Sequence, residues 1–288
     1  GAALYWLGLG HGFSTLARPT GAIILMYHSV ATDDLAEFID PPNRIAPSEF
    51  ERQMAFLHKR RRVVSLSDLV AQLESGHSPE AGTVCLTFDD GYRDNLTTAA
   101  PILERYRMPA TVFVPTAYIA RAEAQWADCL HWLFSQRTAH RLEIASIGLA
   151  ADLSSRGQTA AARKLLHKRL LESVYAERRE LLLEVERQLQ PQGQMPRLTL
   201  NWDEIRELVR RYPLFEIGGH SRDHIDVRTH RGEIAHDEVF GCAADLRREL
   251  GREPQHFSFP YGRWCDETRT LVRTAGWRSA MGDSGEFR

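Results

Sequence analysis

Apolar residues in this chain fall into short blocks of strand length, separated by stretches with apolar positions at helical spacing. "GAIILMYHSV" (21–30), "RVVSL" (62–66), "GTVCLTF" (82–88), "PATVFVPT" (109–116), "LFEIGGH" (214–220), "HFSFPYG" (256–262) and "RSAMG" (278–282) read as strands. Between them "SEFERQMAFLHKR" carries Phe50, Met54 and Leu57 on one helical face, with Ser48 as its expected cap. "SDLVAQLESG" predicts a helix capped by Ser67 and closed by Gly76. Further helices are predicted over "NLTTAAPILERYRM", "NWDEIRELVRRY", "EVFGCAADLRRELG" and "DETRTLVRTAGW". Strand and helix in alternation imply parallel strands joined by crossover helices.

Residues 120–197 break the alternation. Their Leu, Ala, Glu and Arg recur at helical spacing, which predicts about two amphipathic helices, ending at "PQGQMP". The chain therefore reads as a single α/β domain, residues 1–288, with one helical insertion at about 120–197. The charged face of the insertion is expected to be solvated.

Composition narrows the picture. The 288 residues are 43% hydrophobic and 26% charged with a formal net charge of −2, which builds a large core and makes no case for nucleic-acid binding. No run of 18 apolar residues occurs, so no transmembrane helix is expected. The first residues lack a basic leader and are read as an amphipathic lead-in rather than a signal peptide. The four cysteines are widely spaced, which argues against a cysteine-rich zinc site and leans towards a reducing, cytoplasmic setting.

Chemistry in parallel α/β folds gathers at the carboxyl ends of strands. His28, Asp89-Asp90, His220 with His224, and Pro260-Tyr261-Gly262 each follow a different predicted strand. Two adjacent carboxylates after a buried strand repel one another unless a cation or shared proton offsets them. "GGHSRDH" spaces two histidines four apart, so both imidazoles can face one ion. Two nitrogens and a carboxylate suit Zn²⁺, Fe²⁺, Co²⁺ or Ni²⁺. HSRDH is not the HExxH of zinc proteases, the His224-Ile225-Asp226 triplet lacks the β-rich setting of iron oxygenases, and "GDSG" (282–285) is read as a chance match to a protease segment.

"ILMYHSV", "TFDDGYRDN", "ATVFV", "GGHSRDH" and "FSFPYG", in this order, resemble the polysaccharide deacetylase family, carbohydrate esterase family four. The resemblance covers about residues 21–119 and 198–282. It implies a distorted (β/α) barrel and metal-dependent removal of acetyl groups from acetamido sugars of a glycan or glycolipid precursor. By the same resemblance Asp89 is the general base, and Asp90, His220 and His224 hold a divalent metal, zinc first and cobalt, nickel or iron as alternatives. The backbone N–H of Tyr261 stabilises the oxyanion, with Pro260 and Gly262 shaping that turn against the substrate. Two departures stand out. Ser258-Phe259 occupies the place of an arginine that often precedes Pro-Tyr-Gly, and the Leu-x-His segment that supplies the family's general acid has no match before Arg288. His28 is the expected substitute acid, unless the donor lies beyond Arg288; His256 should sit at the opposite end of the barrel. The competing readings are a catalytically weak sugar-binding module and an amidase for a non-sugar amide. Trp126, Trp132, Trp202 and Trp264 are candidates for stacking on sugar rings, each with a core role as the simpler reading.

Overall fold

The computed structural model describes residues 21–282. The lead-in and the segment from residue 283 on, including most of Gly-Asp-Ser-Gly, lie outside the described residues. The chain runs β1 (Ile23–Tyr27), β2 (Ser29–Val30), β3 (Arg44–Ile45), α1 (Pro47–Arg60), β4 (Arg62–Val63), α2 (Leu66–Glu74), β5 (Thr83–Phe88), α3 (Ala100–Tyr106), β6 (Ala110–Val114) and α4 (Thr116–Arg121). It continues through α5 (Trp126–Ser135), β7 (Arg141–Ile144), β8 (Leu149–Asp152), α6 (Arg156–Leu171), α7 (Tyr175–Leu189), α8 (Trp202–Arg211) and β9 (Phe215–Gly219). Last come α9 (Glu233–His236), α10 (Cys242–Leu250), β10 (His256–Ser258), α11 (Asp266–Thr274) and β11 (Ser279–Met281).

Seven strands form one sheet in the order β1-β5-β6-β9-β10-β11, with β4 also on β5, and every pairing in it is parallel. The parallel pairing is what the alternation predicted, and the sheet curls into an open (β/α) barrel with helices outside, as the family resemblance implied. All six residues of β5 are buried between neighbours on both sides, which is why its sequence carries apolar residues and small β-branched threonines but no charge. β1 is an edge strand with alternating burial, so its equally apolar sequence leaves Met26 61% exposed.

Local signals were read one or two residues off at two helix starts. α1 begins at Pro47 with Ala46 as cap residue, so Ser48 is already inside the helix. The hydroxyl of Ser65, not of Ser67, accepts the Asp68 N–H at the start of α2. Phe50, Met54 and Leu57 are buried as the periodicity required.

Strands β6 and β9 pair directly, Ala110 beside Phe215 through Val114 beside Gly219, and the chain between them makes the extra layer. It is not purely helical. Besides α5, α6 and α7 it contains an antiparallel hairpin, β7 with β8, whose side chains alternate between buried and exposed. A separate hydrophobic cluster holds it together, built on Trp126, Leu130, Leu142, Leu166, Leu170 and Val185. It docks on the barrel loops through Asp128 of α5, whose carboxylate accepts the Tyr92 hydroxyl at 2.7 Å and the Asp40 N–H at 2.8 Å. No helix of the described residues is long and apolar enough to cross a membrane.

Burial pushes the Asp128 carboxyl up to about 8, against the opposing effect of its two hydrogen bonds. An unfolded aspartate titrates near 3.9, so the folded chain holds more protons between those values and loses stability as pH rises from about 4 to 8. Asp128→Asn keeps the shape without the titration. Its denaturation midpoint is expected to vary less over this interval than the parent's; a parallel pH dependence in the two proteins contradicts the assignment.

Candidate active site

Four strand ends open into one cavity of about 330 Å³ that contains His28, Asp89, Asp90, His220, His224, Tyr261 and Gly262. Each arrives by a different backbone device. After β5 the Asp89 N–H still bonds the Tyr27 carbonyl at 2.9 Å, continuing the ladder with β1. The chain then turns through two left-handed residues, Asp90 (φ 71°) and Gly91 (φ 63°). A side chain at Gly91 would also press on Ile119 and Val114, 3.0 and 3.1 Å from its Cβ position. The turn sends the two carboxylates into the cavity from adjacent positions.

β9 ends in Gly-Gly because the wall there is crowded: a Cβ on Gly219 would meet the Trp277 ring and, at 2.7 Å, the Cys242 sulfur. The following His220 N–H bonds the Val114 carbonyl at 3.0 Å. In the loop beyond, Ser221 (φ 61°) and His224 (φ 47°) take left-handed conformations, at about 1–2 kcal/mol each for a side-chain-bearing residue.

The ligand atoms converge. His224 Nε2 lies 3.0 Å from Asp90 Oδ1 and 3.2 Å from His220 Nε2, and His220 Nε2 lies 3.5 Å from Asp90 Oδ1. His220 Nδ1 is 2.8 Å from the Ser258 carbonyl, which can only accept, so the Nδ1 proton is fixed there and a neutral His220 offers a bare Nε2. A proton on His224 Nε2 serves only one of the two acceptors facing it. The buried Asp90 Oδ1 finds no hydrogen bond, and a cation satisfies all three atoms together. The donor set of two imidazoles and a carboxylate fits a divalent transition metal, and these three residues are the metal-competent group among the described residues.

The electrostatics agree. Burial opposes ionisation of Asp90, yet the neighbouring His224 and His220 hold its carboxyl well below the usual range. Burial pulls His220 down, but Asp89 and Asp90 outweigh it and raise the imidazole. For His224 burial prevails over the attraction of Asp90 and pulls the imidazole down. The site stabilises a positive charge at its centre.

Asp89 stands beside this group, Oδ2 3.8 Å from His220 Nε2. The Ser258 hydroxyl donates to Oδ2 at 3.2 Å, and Oδ1 is buried without a partner. Ser258 thus bonds both the carboxylate and, through its carbonyl, His220. His28 reaches the cavity from β1, its Nε2 4.0 Å from Asp90 Oδ2. The Asn95 amide donates to the His28 carbonyl at 2.8 Å, and Asp94 accepts from the Ser29 hydroxyl and the Val30 N–H. The tail of "TFDDGYRDN" therefore fixes the loop that carries His28.

Tyr261 is left-handed (φ 59°), followed by Gly262 (φ 67°). Within the turn the Gly262 N–H bonds the Phe259 carbonyl and the Arg263 N–H bonds the carbonyl of Pro260. The Tyr261 N–H takes no part in that pattern. Its phenol packs into the insertion, accepting from Trp126 Nε1 at 2.8 Å and donating to the His224 carbonyl at 3.0 Å. Of the four tryptophans singled out in the sequence, Trp126 borders the cavity but is 2% exposed, Trp132 and Trp202 are buried, and Trp264 lies outside the cavity. His256 is buried at the other end of its strand, between Ser67 and Ser279. Sequence reading marked Ser258 only as a departure from an expected arginine, without a role, and missed Asn95 and Arg178 of α7; Arg178 carries no local signal.

Comparison with known proteins gives the lineage. The polysaccharide deacetylase family matches residues 76–280, more than half of the chain. YxkH of Bacillus subtilis (strain 168), whose name places it among the polysaccharide deacetylases, is 34% identical over 98 residues. That match covers 34% of this chain and 33% of YxkH, so the chain matches about a third of this relative's length. IcaB from Ammonifex degensii superposes with a TM-score of 0.55 at 17% identity, over 94% of this chain and 89% of that one. The de-N-acetylase from Aggregatibacter actinomycetemcomitans gives 0.55 at 18% identity, over 92% and 88%. The Streptococcus pyogenes deacetylase PplD, solved with acetate, gives 0.54 at 14%, over 90% and 80%. At such identities the structural likeness speaks for the fold, and with the family match over residues 76–280 it leads to one conclusion: the chain belongs to the polysaccharide deacetylase family.

Proposed function

We propose that this protein is a divalent-metal-dependent hydrolase that removes acetyl groups from acetamido sugars of a glycan or glycolipid precursor. The observation that carries the reading is the convergence of Asp90, His220 and His224 beside a second carboxylate with one unpartnered oxygen. A divalent ion held by those three residues supplies Lewis acidity, making the acetyl carbonyl more electrophilic and water more acidic. Everything else falls to the chain itself.

Asp89 acts as general base. Ser258 pins Oδ2, so the free Oδ1 faces the proton of the attacking water. As the C–O bond forms, negative charge moves to the acetyl oxygen, where the Tyr261 N–H donates. The C–N bond then breaks, and the nitrogen needs a proton to leave as an amine. His28, 23% exposed in its side chain and inside the same cavity, is the donor. The products are acetate and the free amino sugar. Acetate release from acetylated chitooligosaccharides that depends on added metal tests the whole reading; no release with any of Zn²⁺, Co²⁺ or Ni²⁺ overturns it in favour of a sugar-binding module or an amidase for a non-sugar amide, which a panel of non-sugar acetamides separates.

The two carboxylates should separate cleanly. Asp89→Asn is expected to lower turnover about 10²-fold or more, the scale of a positioned proton acceptor, with metal content unchanged. Asp90→Asn, like a double His220→Ala/His224→Ala protein, is expected to lose metal and activity together. Equal metal loss in Asp89→Asn and Asp90→Asn would refute the division of roles.

For His28, the leaving group is the probe. His28→Gln is expected to slow hydrolysis of an acetamide far more than that of an activated phenyl acetate, whose phenolate departs unprotonated. Equal slowing of both substrates, with metal content intact, removes His28 as the proton donor.

A further inference from the structure

The loop that carries both histidines satisfies its backbone groups through side chains and a helix start rather than through a strand. Its N–H groups at Arg222 and Asp223 both donate to Glu238 Oε2 at 2.9 Å. Its first two carbonyls, Ser221 and Arg222, accept from the Thr116 and Ala117 N–H groups at 3.1 and 3.0 Å. The last two, Asp223 and His224, accept from a single side-chain nitrogen, Nη1 of Arg178, at 3.0 and 2.8 Å. His224 is left-handed, a conformation that persists only where surrounding contacts over-determine it.

Arg178 belongs to the inserted layer, on α7, and is 1% exposed. Its hydrogen bonds run to no carboxylate. Nε donates to the Leu170 carbonyl at 2.7 Å, Nη1 to the two loop carbonyls, and Nη2 to the Tyr261 hydroxyl at 3.4 Å, with the Trp126 ring 5.5 Å from the guanidinium carbon. A buried cation without a counter-charge is costly, and a helix needs none to pack. What this guanidinium gains is geometry: a rigid planar fork reaches two separate segments, which a flexible ammonium does not reproduce. Those segments are the end of the His220–His224 loop and the Pro260-Tyr261-Gly262 turn.

We propose that Arg178 is a positioning residue of the metal centre. It locks His224 and Tyr261 into one unit and makes the inserted layer part of the site rather than an appendage to the barrel. The proposal rests on the reading of His224 as a metal ligand. Partners that orient a ligand typically change metal affinity by about 10–100-fold when removed.

The test uses Co²⁺, whose visible absorption reports coordination geometry, on four full-length proteins: parent, Arg178→Met, Arg178→Lys and Val185→Ala. Val185 is buried on the same helix in the core of the inserted layer, so its truncation loosens that layer without touching the loop. We expect Arg178→Met to bind Co²⁺ about 10–100-fold more weakly, with an altered absorption band. Arg178→Lys should restore only part of the affinity, and it serves as the decisive variant if Arg178→Met does not fold. Val185→Ala should melt at lower temperature yet keep the parent's affinity and spectrum. Parental affinity and spectrum in the Arg178 variants overturn the proposal, as does an equal loss of Co²⁺ in Val185→Ala. A parent that binds no Co²⁺ at all refutes the metal reading instead, so the two failures are told apart.

Discussion

Three buried atoms, Asp90 Oδ1 and the Nε2 atoms of His220 and His224, lie within 3.5 Å of one another, and with Asp90 ionised and both imidazoles neutral no arrangement of protons satisfies them all. Burial makes such a cluster unfavourable unless positive charge enters it, and much of the surrounding structure serves to hold the atoms there. Asp90 and His224 both sit in left-handed backbone; His220 is tied at Nδ1 to Ser258. The barrel contributes rigidity: Asp90 stands two residues past β5 and His220 one residue past β9, two central strands that flank β6. A cluster assembled from mobile loops would relax by moving apart. Here the strand ends do not allow it.

The same constraint separates the roles of two chemically identical neighbours. Asp89 and Asp90 are adjacent in sequence, but the chain leaves extended geometry between them, so one carboxylate joins the histidines and the other bonds Ser258. Where the family resemblance leads one to expect an arginine, a neutral hydroxyl holds the carboxylate. A hydroxyl adds no charge, so no cationic side chain at this position offsets the two neighbouring carboxylates.

Much of this was legible in the sequence because it depends on position along strands. The alternation predicted parallel β/α architecture, and taking the residue after each apolar block placed His28, Asp89, Asp90, His220 and Tyr261 in one cavity. What failed depended on the third dimension. β1 and β5 are equally apolar in sequence, and only the sheet order makes one an exposed edge and the other central. Ser48 and Ser67 look like helix caps by composition, but Pro47 at the first helical position and the hydroxyl of Ser65 decide the starts. The β7–β8 hairpin is masked in the sequence by its strongly helical flanks: "RLEI" alternates with a period of two, but "LAAD" does so only in its burial.

Arg178 was beyond such reading for a deeper reason. In sequence it is one arginine among many on an amphipathic helix, where the expected place for its charge is solvent. In the fold it is buried against carbonyls 45 and 46 residues away. The inserted layer also supplies Trp126, His167 and Leu171 to the cavity wall, and its core includes the Tyr261 ring. The inserted layer thus both shapes the opening and holds the end of the His220–His224 loop. Any change that widens the cavity at Trp126 also disturbs the bond from its indole to Tyr261, and through Tyr261 the carbonyl of His224. The shape of the cavity and the geometry of the Asp90, His220 and His224 cluster are therefore linked through these few hydrogen bonds.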